Sequence, residues 1–299
     1  MTRKHCIYPL LANRFNVCQR LRLCAVADLK NKTLNIERMM IVEEMLKNAQ
    51  TQLLHIADVS GSALFQGDCL EIMPLIPDKS VNLILADLPY GTTACKWDSV
   101  LPFDKLWQEY ERIITDNGAI VLTAQQPFTS ALIMSNTKLY KYDWYWKKSK
   151  PVGFANAKKM PLKDVETISV FYKSLPKYNP QGLEKCNRII SNSTKKIKQN
   201  NITAINGGAF KTDTFVQEFT NYPRQIIEIG VEQGLHPTQK PKELMKYLIS
   251  TYTDENDVVL DNTMGSGTTC LAAKELNRRF IGIEKEPKYY EIACQRCGF

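Results

Sequence analysis

The run Val81-Asn82-Leu83-Ile84-Leu85-Ala86-Asp87-Leu88-Pro89-Tyr90-Gly91 decides how this chain folds. Its first half is dense in Val, Leu and Ile and it closes on Pro and Gly, so it reads as a strand buried on both faces that ends in a sharp turn. Such strands belong to parallel sheets covered by helices, and in open α/β sheets ligands sit outside the carboxyl ends of the strands. The turn therefore offers one carboxylate (Asp87), exposed main-chain carbonyls and one aromatic ring (Tyr90) at a candidate site.

The flanking text agrees. Upstream, Phe65-Gln66-Gly67-Asp68-Cys69 reads as a short strand whose end brings a second carboxylate, Asp68, to the same sheet edge. Downstream, a helix is predicted from about Phe103 to Ile114, with apolar Leu106, Tyr110 and Ile113-Ile114. Asp116-Asn117-Gly118 then turns into the strand Ala119 to Thr123, and Gln125-Gln126-Pro127-Phe128 opens another helix. Strand, helix, strand, helix is the order of a doubly wound α/β layer.

The C-terminal third repeats the pattern. His236-Pro237-Thr238-Gln239-Lys240-Pro241 precedes a helix from Lys242 to Tyr252. Val258-Val259-Leu260 ends at Asp261 and leads through Gly265-Ser266-Gly267-Thr268-Thr269 into a helix from Cys270 to Leu276. Phe280-Ile281-Gly282-Ile283 follows and ends at Glu284. A βαβ unit with a glycine-rich first turn and an acid about 20 residues on suits a nucleoside cofactor with a ribose diol. A phosphate-binding Walker loop needs a Lys before the Ser/Thr, which is absent, and a dinucleotide fingerprint needs Gly or Ala where Cys270 stands. S-adenosylmethionine carries no phosphate and demands less of the glycine turn; Asp261 would face its amino group and Glu284 its ribose.

With 299 residues, 44% apolar and 23% charged, the chain has the composition of a globular protein. No segment approaches the roughly 20 apolar residues that span a bilayer. Nine scattered cysteines fit reduced thiols in a cytoplasm better than a disulfide scaffold, and the lone pair Cys294 and Cys297 is too few ligands for zinc. The net charge of +8 is concentrated in one place. Lys138 to Lys198 carries fourteen Lys and one Arg against four acids, a net +11. There Tyr140, Tyr142, Trp144, Tyr145 and Trp146 alternate with lysines, and Lys147, Lys148, Lys150, Lys158 and Lys159 are candidates for phosphate contacts. Glu166 to Lys173 reads as one more core strand, after which the text turns polar until Tyr222-Pro223-Arg224. Residues 1–27 hold five basic residues and no acid; an unusual extension, or a start codon placed too far upstream, is expected rather than a transit peptide. A helix is predicted from Asn35 to about His55. Four segments result: an extension (1–60), a first half-core (61–173), an insert (174–235) and a second half-core (236–299).

Together these residues resemble an amino-methylating DNA methyltransferase of the circularly permuted beta group, phage adenine methylases in particular. The resemblance runs from Phe65 to about Tyr290. It implies a Rossmann-like, S-adenosylmethionine-dependent α/β fold, circularly permuted, with a target-recognition insert between Lys173 and His236. Asp87-Leu88-Pro89-Tyr90 resembles the catalytic Asp-Pro-Pro-Tyr motif. Leu88 replaces a Pro used through its carbonyl, which Leu supplies equally. The 236–241 stretch resembles the group's cofactor-pocket motif and implies His236, Thr238 and Lys240 as cofactor contacts. Asp261, Gly265, Ser266, Gly267, Thr268 and Thr269 resemble its glycine loop, Asp68 the acid near the cofactor's adenine and Glu284 the ribose ligand. The implied reaction is methyl transfer to the N6 amine of an adenine flipped out of double-stranded DNA, with no metal, in the cytoplasm of a bacterium or phage-infected host. N4 methylation of cytosine and a non-catalytic nucleic-acid binder keeping the fold are the alternatives. A homodimer and a cognate restriction enzyme stay open as partners.

Overall fold

The computed structural model describes Met45 and residues 54–57, 61–92, 98–191, 214–232 and 239–299. Eleven strands fall within these residues. β1 (Leu54–Ala57), β2 (Ala63–Gln66), β3 (Val81–Asp87), β4 (Ile114–Ala124), β5 (Tyr140–Val152), β6 (Lys163–Phe171), β9 (Ile226–Glu228), β10 (Val258–Asp261) and β11 (Arg279–Glu284) form one sheet in the order β1-β2-β11-β10-β3-β4-β6-β5-β9. β7 (Glu184–Ser191) and β8 (Thr214–Thr220) pair separately. From β2 to β4 the strands are parallel, while β6 runs antiparallel to both β4 and β5.

Alternation along each strand divides the core into two layers. On one face Ile84, Ile120, Leu122 and Leu260 pack against helices α1 (Cys69–Ile72), α2 (Phe103–Ile113) and α3 (Phe128–Ser135). On the other, Leu83, Leu85, Val121 and Val259 pack against α4 (Lys242–Tyr252), α5 (Thr268–Glu275) and α6 (Pro287–Cys297). α2 buries Leu106, Trp107, Tyr110 and Ile113, the one-sided spacing of a helix laid on a sheet. The result is a three-layer α/β sandwich with a Rossmann-like centre.

Two expectations change. Of the helix expected from Asn35 to about His55, only Met45 is described, helical and fully buried; positions 35–44 and 46–53 lie outside the described residues. Leu54 to Ala57 is a strand, pairing antiparallel with β2 and giving that strand's outer N–H and C=O groups their partners. The polar insert, expected to run to residue 235, returns to the main sheet earlier, because β9 pairs in parallel with Tyr145 to Lys147 of β5. Among the described residues no helix is long and apolar enough to cross a membrane.

Candidate active site

β10 and β3 lie side by side and parallel, but the helices that follow them cover opposite faces, α5 behind β10 and α2 behind β3. The loops leaving the two strands thus part company, and the crevice between them is where doubly wound sheets hold ligands. A cavity of about 740 Å³ opens there. Its wall includes Asp68, Asp87, Leu88, Pro89, Tyr90, Lys240, Asp261, Gly265, Ser266, Thr268, Thr269 and Glu284. Two half-sites more than 150 residues apart in the chain share one space. Gly267 is not part of the wall, though its neighbours Ser266 and Thr268 are; His236 and Thr238 lie outside the described residues.

At the β3 end, both oxygens of Asp87 are engaged. Oδ1 accepts from the Tyr90 hydroxyl at 2.5 Å and from the Thr123 hydroxyl of β4. Oδ2 accepts from Lys240 Nζ at 2.6 Å, and the same ammonium lies 3.5 Å from Glu166 Oε2. Burial pushes the Lys240 ammonium down, but the charges of Asp87 and Glu166 outweigh it and hold it above its usual range. Tyr90 stacks on Phe128 with ring centroids 5.0 Å apart, and Lys240 Nζ sits 5.7 Å from its ring centroid. Burial, then the charges of Asp87 and Glu166, push the Tyr90 phenol well above its ordinary range, so it remains a donor. Leu88 is buried, and Asp98 clasps the turn by accepting from the main-chain N–H of Gly91 (2.8 Å) and Thr92 (2.9 Å).

At the β10 end, Asp261 is buried and accepts from the Thr263 N–H at 3.2 Å. The Thr263 hydroxyl donates to the Asp87 carbonyl at 3.2 Å and so ties the two half-sites together. Gly267 turns the chain with φ +74°, and a Cβ there would lie 2.8 Å from Ala293 Cβ; only glycine fits. Arg296 of α6 holds the loop from behind, donating to the Ser266 carbonyl at 2.7 Å and to the Thr268 hydroxyl at 3.1 Å. Glu284 accepts from the Gly265 N–H (2.8 Å) and the Glu286 N–H (2.7 Å). Asp68 caps α1 through the Leu70 N–H at 2.9 Å and pairs with Lys285 at 3.0 Å.

The basic candidates divide. Lys150, Lys158 and Lys159 are exposed, and Lys147 is exposed while pairing with Glu228 at 3.1 Å. Lys148 points inward, its side chain only 9% exposed, and pairs with Glu166. Strand parity is the reason: position 148 shares a face with buried Trp144 and Trp146, whose ring it approaches at 5.2 Å. The phosphate-contact reading therefore does not carry to Lys148. The cofactor-contact reading of Lys240 changes likewise, since its ammonium is bound to the Asp87 turn. Sequence reasoning missed Thr123, Glu166 and Arg296. Glu166 stood in view as the acid opening an apolar strand; Arg296 gave no signal.

Residues 81–295 match the family model described as DNA methylase, which covers the N6 and N4 amino-methyltransferases. The chain belongs to the DNA methylase family. It is 28% identical over 275 residues to the type II methyltransferase M.HinfI of Haemophilus influenzae, covering 79% of this chain and 68% of that protein. To the type II methyltransferase M1.MboII of Moraxella bovis it is 29% identical over 246 residues, covering 77% and 94%. The solved complex of M1.HpyAVI with S-adenosylmethionine superposes with a TM-score of 0.54 and 26% identity over 79% of this chain and 98% of that one. This DNA methylase takes its methyl group from S-adenosylmethionine.

The methylase's own residues fit that cofactor. Among the described residues no cation pairs with Asp261, and burial pushes its carboxyl up to about 7 against hydrogen bonds from Thr269 and Thr263. A buried carboxylate in that state gains most from a cationic ligand group, such as the ammonium of the methionine moiety. Burial raises Glu284 as well, and its oxygens keep lone pairs for hydroxyl donors.

Proposed function

We propose that this methylase transfers a methyl group to the N6 amine of adenine in double-stranded DNA. The observation that carries the reading is the single cavity joining the Asp87-to-Tyr90 turn to Asp261, the glycine loop and Glu284. The lone pair of an aromatic amine is delocalised into its ring, which makes the nitrogen a poor nucleophile. Acceptors aimed at both N–H bonds favour a tetrahedral nitrogen with its lone pair free. The Asp87 carboxylate and the Leu88 carbonyl take that part, and Tyr90 supplies the aromatic wall for the base. Thr123 and Tyr90 hold Oδ1 and fix the carboxylate plane. Asp261, Glu284 and Asp68 grip the cofactor, together with Gly265, Ser266, Gly267, Thr268 and Thr269. When bound, it supplies an electrophilic sulfonium methyl. A base in a duplex stack cannot reach this depth, so it is extruded, at a cost of a few kcal/mol.

Lys147, Lys150, Lys158 and Lys159 form the phosphate-facing surface, and the segment carrying β7 and β8 is the target-recognition insert. The place of β10 and β11 between β2 and β3 in the sheet supports a circularly permuted chain order. The type II designation of the two relatives supports a modification role beside a restriction enzyme. Expression in a methylation-free host followed by modification-sensitive long-read sequencing tests base and site together. N6-methyladenine at a fixed motif is the expected outcome; N4-methylcytosine would replace adenine by cytosine in the reading.

A further inference from the structure

One acid at the β3 end of the cavity has no part in the roles above. Glu166 sits in the first half of β6, and because β6 runs against its neighbours, residue 166 reaches the edge where the parallel strands end. Its Oε1 pairs with Lys148. Its Oε2 is buried and takes no hydrogen bond, with Lys240 Nζ 3.5 Å away. Lys240 thus stands between two carboxylates, hydrogen-bonded to Asp87 at 2.6 Å and only in ionic contact with Glu166.

The Tyr90 and Thr123 hydroxyls hold Asp87 Oδ1 from rigid elements. Of the donors on this carboxylate, the one on a flexible stem is Lys240, on Oδ2. Oδ2 carries only that ammonium, so an incoming amine must share the oxygen with Lys240 or displace it.

We propose that Lys240 is a placeholder for the target amine: its ammonium occupies Asp87 Oδ2 while the pocket holds no base, and moves to Glu166 Oε2 when the base enters. This deepens, and rests on, the reading of Asp87 as the acceptor of the amine. Two hydroxyls hold Oδ1 but supply no charge, so in the empty pocket the ammonium is what balances the half-buried Asp87 carboxylate. Release requires another buried acceptor within reach, and Glu166 Oε2 is one. Lys148 holds the other Glu166 oxygen and so keeps Oε2 facing Lys240. Asp87, Glu166, Lys148 and Lys240 sum to zero charge before and after, so the exchange brings no net charge into the cavity. It also selects. One donor replaces another, so an amino group is accepted, while the thymine O4 or guanine O6 would set an acceptor against a carboxylate.

The test is a double-mutant cycle of Glu166→Gln and Lys240→Met, read by single-turnover methylation of target duplex with the product base identified by mass spectrometry. Glu166→Gln is expected to lower kcat/KM for DNA by about tenfold or more with Lys240 present, and by less than about twofold beside Lys240→Met. Cofactor affinity should stay within about threefold in Glu166→Gln, and Glu166→Asp should recover part of the loss. A structure of the wild-type protein with a target duplex needs no variant: Lys240 Nζ should then lie nearer Glu166 than Asp87, the reverse of the present 3.5 and 2.6 Å. Equal losses in both backgrounds, or Lys240 still on Asp87 beside a bound base, would overturn the exchange alone. No methylated base from the wild type would overturn the Asp87 reading and this proposal with it.

Discussion

Replacing Asp261 by Asn should make the cofactor-free protein more stable while it loses its cofactor. The carboxyl is buried, with no cation beside it among the described residues, and burial raises it from 3.8 to about 7. In strong acid the folded and unfolded chains both carry it protonated and nothing is lost. As pH rises the unfolded chain ionises first, while the folded one holds its proton until about 7, so stability drains away between roughly pH 4 and 7. Three units at about 1.4 kcal/mol each make the full loss about 4 kcal/mol above pH 8, of which only about 1.5 kcal/mol has accrued at pH 5. Asn keeps an acceptor for the Thr263 N–H and carries no charge to bury. Denaturant unfolding without cofactor should therefore show an advantage for Asp261→Asn that is about 2–3 kcal/mol larger at pH 8 than at pH 5. Calorimetric titration of the wild type should show S-adenosylmethionine affinity falling by up to about tenfold per pH unit below 7, because the ammonium needs the ionised carboxylate. A stability difference equal at the two pH values would refute the buried-charge argument.

Asp87→Ala should lower methyl transfer by about a thousandfold or more in single-turnover assays, with cofactor affinity measured by titration largely kept. Replacing Lys150, Lys158 and Lys159 together by Gln should make the slope of log K against log salt shallower by up to about 2.7, if each meets one phosphate, whereas Lys148→Gln should leave that slope unchanged in the same binding titration and alter turnover instead. Gly267→Ala forces a Cβ to 2.8 Å from Ala293 Cβ at φ +74°. It should cost about 1–3 kcal/mol of stability in denaturant unfolding and weaken cofactor binding.

The parts of the site that were legible in sequence are those written locally. Val81 to Leu85 and Val258 to Leu260 announce buried parallel strands by composition, and the carboxylates that end them must then share a sheet edge. Gly267 declares its turn because no other residue tolerates both the left-handed backbone and the approach of Ala293. Leu54 to Ala57 failed for the opposite reason. A four-residue stretch, Leu-His-Ile-Ala, is too short to show a period of its own, and whether it continues a helix or pairs with β2 depends on a partner elsewhere. Lys148 is legible only through strand period: interleaved aromatics and lysines suggest one basic surface, whereas period two puts residue 148 on the same face as Trp144 and Trp146. β9 could not be foreseen, since its pairing with β5 closes about 80 residues of chain and nothing in three residues encodes it.

The cluster around Asp87 shows why strand direction matters more here than residue type. A parallel sheet delivers only its strand ends to the ligand edge, and β3 and β10 each end on an acid there, Asp87 and Asp261. A reversed strand delivers residues from nearer its start instead. β6 is that strand, and the Glu166 it presents would be an unpaired buried charge were it not flanked by Lys148 from β5 and Lys240 from the segment entering α4. Two lysines, one that charge patterning assigns to phosphate and one that the family resemblance assigns to the cofactor, are thereby drawn onto carboxylates, and the exposed basic surface loses one member while the Asp87 turn gains a counterion. The same reversal sets a second carboxylate beside the ammonium on Asp87, which is the arrangement the proposed exchange of Lys240 requires.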